Sequence, residues 1–180
     1  MRRGLYIHIP FCKHKCNYCD FASFAGKEDQ IEAYLKALAK EAALYGGTSC
    51  QTLYIGGGTP SLLSVPQIDT LIHTITHYFG ELTRFEESTF EANPESITPA
   101  KIAALRTAGV NRLSIGLQSF NDRELEVLGR VHNANQFLQA YRTAQTGGFE
   151  NINVDLIAGL PTQTMGSFLD SLQRFIALHP

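Results

Sequence analysis

Five short β-rich runs alternate with stretches of helical periodicity along the 180 residues, and that alternation leaves few folds open. Residues 5–9, 51–55, 88–92, 112–117 and 151–157 read as strands. Between the first two, Ile31, Leu35, Leu38, Ala42 and Tyr45 recur at spacings of three and four, so residues 28–45 predict an amphipathic helix. Pro66 suits the first turn of a second helix. Thr98 before Pro99 marks a helix start, and Gly109 its stop. Asn121 caps a short helix that ends at Gly129, and Asn133 with Gln136 spells a capping box. A last amphipathic helix from about Thr164 carries Phe168, Leu169, Leu172, Phe175 and Ile176.

Such a β-α rhythm implies a parallel sheet with helical crossovers, either doubly wound or barrel-like. Polar residues favour the barrel. A cysteine loop follows the first strand, Gly56-Gly57-Gly58 ends the second, Glu91 closes the third, Gln118 lies past the fourth and Asp155 sits late in the fifth. Residues gathered at the C-terminal ends of parallel strands form the active rim of (β/α) barrels. The expected fold is α/β, an incomplete (β/α) barrel with outer helices. Five units do not close a barrel, and a terminal strand has an unpaired edge. The expectation is therefore one core domain over residues 1–180 of a chain that continues past Pro180 into a further C-terminal domain.

With 44% hydrophobic residues the chain can fill one ordinary core. Its net charge of −2 and charged fraction of 18% give no reason to expect nucleic acid or an anionic membrane as partner. No apolar run approaches the roughly 20 residues of a membrane span. His8, Pro10 and Lys13 interrupt the N-terminal apolar stretch too early for a signal peptide, so a cytoplasmic protein is expected. Four cysteines occur, three of them within eight residues, and without an export signal that cluster reads as metal-binding rather than disulfide-forming.

Cys12, Cys16 and Cys19 spell C-x₃-C-x₂-C. Thiolates suit zinc or iron–sulfur clusters. Structural zinc needs a fourth protein ligand. Cys50 precedes the second strand and belongs at the other end of the sheet, whereas His8 or His14 could be recruited only with strain. Three thiolates around four irons leave one iron open to chelate the amino and carboxylate groups of a methionine-derived cofactor. Spacing alone leaves zinc and cluster both open.

The triplet, with Tyr18 just before its last cysteine, resembles the signature of the radical S-adenosylmethionine superfamily. Residues 6–12 (YIHIPFC), 56–61 (GGGTPS) and 153–161 (NVDLIAGLP) resemble the oxygen-independent coproporphyrinogen III oxidase family, in order and across nearly the whole chain. The resemblance implies a partial barrel of the radical S-adenosylmethionine type. It also implies a [4Fe–4S] cluster on Cys12, Cys16 and Cys19, with S-adenosylmethionine beside it. By the same resemblance Gly58, Thr59 and Pro60 contact the methionine part, and Tyr6, Tyr18, Glu91, Gln118, Arg130 and Asp155 complete the cofactor site. Each has a blander reading: a tight turn for the glycines, solvated surface for Glu91, a turn bond for Gln118, and a complement to a helix dipole for Arg130. Asp155 interrupts an apolar strand, where a buried carboxylate needs partners such as ribose hydroxyls. His73 and His132 receive no role.

Oxidases of the resembled family carry a further cysteine two residues past the triplet, where this chain has Phe21. That departure points to the related haem chaperones, which imply haem or porphyrin as cargo, a haem-acceptor protein and an electron donor. The oxidase is the second reading and a zinc-stabilised binding module the third.

Overall fold

Alternate residues of five strands are apolar and buried, and the residues between them are mostly polar. That pattern sets which side of the sheet the helices cover. The computed structural model describes residues 2–179. Strands β1 (Gly4–Ile9), β4 (Thr52–Gly57), β5 (Glu87–Ala92), β6 (Arg112–Gln118) and β7 (Asn151–Leu156) form one parallel sheet in chain order. Two short strands, β2 (Phe11–Cys12) and β3 (Phe24–Ala25), pair with each other and draw the ends of the cysteine loop together, a feature with no sequence signal. Helices α1 (Ile31–Tyr45), α2 (Val65–Phe79), α3 (Pro99–Ala108), α4 (Asp122–Val127), α5 (Ala134–Thr146) and α6 (Met165–Ile176) fill the connections.

The strand order never reverses. Right-handed crossovers between successive neighbours then place every helix on the same face, which curls a sheet toward a barrel instead of winding it on both sides. On the covered face Ile9, Ile55, Phe90, Leu113, Ile115 and Val154 pack with Ile68, Leu71, Ile75, Ile102 and Phe137. The other face is polar, with Tyr54, Glu91, Ser114, Asn153 and Asp155 joined by side-chain hydrogen bonds.

Helix ends follow their caps. Thr98 Oγ1 accepts the Lys101 amide at 3.3 Å, and Gly109 closes α3 in the left-handed conformation at φ 97°. Asn133 and Gln136 exchange both bonds of the expected box. The first helix begins later than its periodicity suggests, because Glu28–Gln30 form a separate 3-10 turn. Along α6, Leu169 is 46% and Ile176 58% exposed. Strand β7 is an edge of the sheet, so among the described residues the stripe has no further strand beneath it.

Candidate cofactor site

The C-terminal ends of the strands surround a cavity of about 260 Å³. Its walls include all three clustered cysteines together with Tyr18, Gly58, Thr59, Pro60, Glu91, Gln118, Arg130 and Asp155. Tyr6 is the one expected site residue outside that lining. It stacks on Tyr54 with ring centroids 6.1 Å apart, and its hydroxyl meets His8 Nδ1 at 2.9 Å.

Backbone contacts hold the cysteine loop against the glycine run. The Gly58 amide donates to Ile9 O at 2.9 Å and the Thr59 amide to Phe11 O at 2.8 Å. A Cβ at position 58 would stand 2.9 Å from Cys12 Sγ and 2.8 Å from Phe11 O, so this approach needs glycine. Lys15 Nζ donates to Phe21 O and Ser23 O and gathers the loop from inside.

A run of hydrogen bonds links two of the thiols. Thr59 Oγ1 donates to Cys12 Sγ at 3.6 Å, and Asn93 Nδ2 donates to Thr59 Oγ1 at 3.2 Å. Arg130 Nη2 donates to Asn93 Oδ1 at 2.9 Å and to Gly116 O at 2.7 Å, while its Nη1 reaches Cys16 Sγ at 3.6 Å. Arg130 is thus tied to the cavity wall and does more than complement a helix end. Asn93 was not among the expected residues. Its only signal is the Asn-Pro step that follows the third strand.

Glu91 is half-buried and anchored: Tyr54 donates to Oε1 at 2.6 Å and the Gly57 amide to Oε2 at 3.0 Å. Burial, with the Glu91 hydrogen bond and charge behind it, holds the Tyr54 phenol far above its usual range. Burial likewise pushes the Tyr18 phenol up to about 12, against the pull of Arg130. Gln118 ends β6 with φ 75° at a register shift, a conformation that costs a non-glycine residue about 1–3 kcal/mol. Its carbonyl accepts the Ile157 amide at 3.0 Å, which fixes the turn.

Asp155 departs from the expected burial: it is exposed, on an edge strand that has no neighbour on one side among the described residues. Its partners are Asn153 Nδ2 at 2.8 Å and Ser114 Oγ at 3.5 Å. His132, in contrast, is fully buried, with Nδ1 3.5 Å from Glu95 Oε2. Burial pushes the Glu95 carboxyl up, but the approach of His132 and the local backbone, with the charge of Arg130, outweigh that and leave it below the ordinary range.

The donor set fits a cluster better than a single zinc ion. Both ring nitrogens of His8 are engaged, with Tyr6 Oη and with Ala22 O, so it is not free to act as a fourth ligand. Cys50 lines a separate cavity beside Tyr78 and Arg84. Among the described residues no three His, Cys, Asp or Glu side chains converge as on a single ion. Three separated thiols, a cradle that one Cβ would fill, and the buried Arg130 Nε without a protein acceptor fit a larger cluster with an adjacent anionic ligand.

The sequence profile of the Radical SAM superfamily matches residues 6–175. The chain is 39% identical to the heme chaperone HemW of Bacillus subtilis over 98% of its own length and 48% of that protein's. It is 40% identical to HemW of Escherichia coli, again over 98% of this chain and 48% of the relative. It thus spans about half the length of the curated relatives it matches. The structure of Escherichia coli coproporphyrinogen III oxidase (HemN), described as a radical SAM enzyme, superposes with a TM-score of 0.89 at 34% identity. That match covers 99% of this chain and 42% of the oxidase.

Proposed function

The chain belongs to the Radical SAM superfamily, and on that footing we propose that it is the core of a haem chaperone whose cavity holds a [4Fe–4S] cluster and S-adenosylmethionine. The observation that carries this reading is the hydrogen-bonded run from Cys12 through Thr59, Asn93 and Arg130 to Cys16, which joins two cluster thiols to the wall of one cavity. A cluster held by Cys12, Cys16 and Cys19 supplies single electrons and an open iron for the amino and carboxylate groups of the cofactor.

The chain's own residues do the rest. Arg130, fixed by Asn93 and Gly116, offers a guanidinium for the cofactor carboxylate. Gly58, Thr59 and Pro60 present a backbone without bulk to the methionine part. Glu91, held by Tyr54 and Gly57, would accept a hydrogen bond from an N–H of the cofactor's amino group. Gln118 is fixed at the rim by its strained turn, and Asp155 receives ribose hydroxyls beside Asn153 and Ser114. The Tyr18 phenol stays protonated at neutral pH and serves as a donor. Tyr6 acts behind Tyr54 rather than in the cavity itself.

Haem as cargo is supported by the relatives named heme chaperones and by Phe21, which puts an exposed ring and no thiol at the cavity mouth. Residues 1–180 form the core domain of a longer protein in this reading, consistent with the half-length coverage of its relatives. An acceptor protein takes the haem and an electron donor serves the cluster. Unpaired thiols suit the reducing cytoplasm, and no helix among the described residues is long and apolar enough to cross a membrane. Haem titration and a coproporphyrinogen turnover assay test the assignment. Stoichiometric haem binding without decarboxylation is expected, and porphyrin decarboxylation without haem binding would return the oxidase reading.

A further inference from the structure

Helix α4 ends in a way that involves the cysteine loop. An α-helix leaves its last four carbonyls without intrahelical partners. Here Gly129 follows the helix with φ 71°, its amide donates to Glu126 O at 3.0 Å, and the Arg130 amide donates to Leu125 O at 2.9 Å. Those two bonds are the Schellman pattern, and they satisfy two of the four carbonyls. The remaining two belong to Val127 and Leu128. Both are taken by Asn17, from more than a hundred residues earlier: its backbone amide donates to Leu128 O at 2.9 Å and its Nδ2 to Val127 O at 3.0 Å.

The position of Asn17 gives this cap a second consequence. It is the residue immediately after Cys16 and two before Cys19, so whatever holds Asn17 holds the middle of the thiol triplet. The same helix end throws Arg130 toward Cys16 Sγ at 3.6 Å. Gly129 leaves room for this contact, since a Cβ there would lie 3.2 Å from the Asn17 amide group. Asn17 is itself exposed, so its hydrogen bonds are its main contribution.

We infer that Asn17 is a positioning residue for the cluster: by completing the C-terminal cap of α4 it locks Cys16 and Cys19 to the segment that carries Arg130. This rests on the proposed cluster site and adds the residue that orients it. Asn17→Ala removes the side-chain donor and keeps the backbone bond. Asn17→Asp sets a carboxylate against two carbonyls and the negative end of the helix, and is the more damaging change.

The test compares the whole chain and both variants. In the cluster-free protein, hydrogen exchange at the residue 17 amide and alkylation of Cys16 relative to Cys50 report on the loop directly. In anaerobically reconstituted protein, the rate of iron loss to a chelator and the spectrum of the reduced cluster report on the site. Asn17→Ala is expected to raise exchange, relative alkylation and iron loss about fivefold, the factor for one lost hydrogen bond. Asn17→Asp should exceed it, alter the spectrum and lower the thermal midpoint by only a few degrees, about 2–4 °C for each fivefold loss. Gly129→Ala, which crowds the same contact from the helix side, should raise exchange at residue 17 as well. Unchanged exchange, alkylation and iron loss in both Asn17 variants would overturn the inference. A wild-type chain that takes up no iron–sulfur cluster would count against the functional proposal, while exchange and alkylation would still decide the role of Asn17.

Discussion

Gly58→Ala puts one methyl group where the structure has no room. The added Cβ would lie 2.8 Å from Phe11 O, 2.9 Å from Cys12 Sγ and 3.1 Å from Ile9 O. Two of these neighbours are backbone carbonyls in the loop-to-glycine contacts and the third is a proposed cluster thiol, so none is the loose end of a flexible side chain. Overpacking of this kind costs about 1–3 kcal/mol. For a chain of this size about 2 kcal/mol lowers the thermal midpoint by roughly 4–8 °C. Gly26 supplies the control: with φ 67° and nothing within 4 Å of its Cβ position, Gly26→Ala carries only the left-handed backbone penalty of about 1–2 kcal/mol. Thermal unfolding and iron content after anaerobic reconstitution separate the two. Both variants should be destabilised, but only Gly58→Ala should also lose iron, because only it displaces Cys12. A Gly58→Ala chain with wild-type midpoint and iron content would refute the close approach of residue 58 to the thiol.

Three other outcomes follow from particular contacts. Glu124 is 1% exposed and accepts bonds from Ser119, Gln163 and Ser167, which lie before α4, after β7 and at the start of α6. Glu124→Ala should cost about 1–3 kcal/mol or more in urea unfolding, because it leaves three buried or half-buried neutral donors without their acceptor; a loss well under about 1 kcal/mol would show that the donors find other partners. Tyr54→Phe deletes the 2.6 Å bond to Glu91 and should weaken S-adenosylmethionine binding about fivefold by calorimetry, with unchanged affinity as the contrary result. The Glu95 carboxyl lies below its ordinary value, so the stability it gives is complete above about pH 4.3 and is lost as pH falls through the lower folded value. Acid titration of Glu95→Gln should therefore show a shallower decline below that pH than wild type, and parallel curves would show that the ionised Glu95 does not stabilise the fold.

Much of this was written in local sequence. Strands announced themselves through β-rich runs, and their observed limits differ from the expected ones by one or two residues at an end. Thr98, Gly109 and Asn133 named their helix ends because capping is a short-range interaction. The rim residues were legible because the C-terminal ends of parallel strands are where such folds place polar groups. Long-range geometry was not legible. Asn93 and Ser114 entered the site only when neighbouring strands came into register, and Asn17 found its partners 110 and 111 positions away. Asp155 was expected to be buried because the pattern around it is apolar, but sequence periodicity does not tell an edge strand from a central one. His132 and Glu124 look like ordinary surface residues in sequence and become buried only through the crossing of α4, α5 and the loops beside them.

We propose that Cys12, Cys16 and Cys19 carry a four-iron cluster beside an S-adenosylmethionine pocket. Anaerobic reconstitution followed by electron paramagnetic resonance of the reduced protein, with and without S-adenosylmethionine, tests it most directly. Four irons per chain are expected, with a signal that shifts when the cofactor is added and that is lost in a Cys16→Ala variant. One colourless zinc per chain, or a cluster signal indifferent to the cofactor, would contradict it.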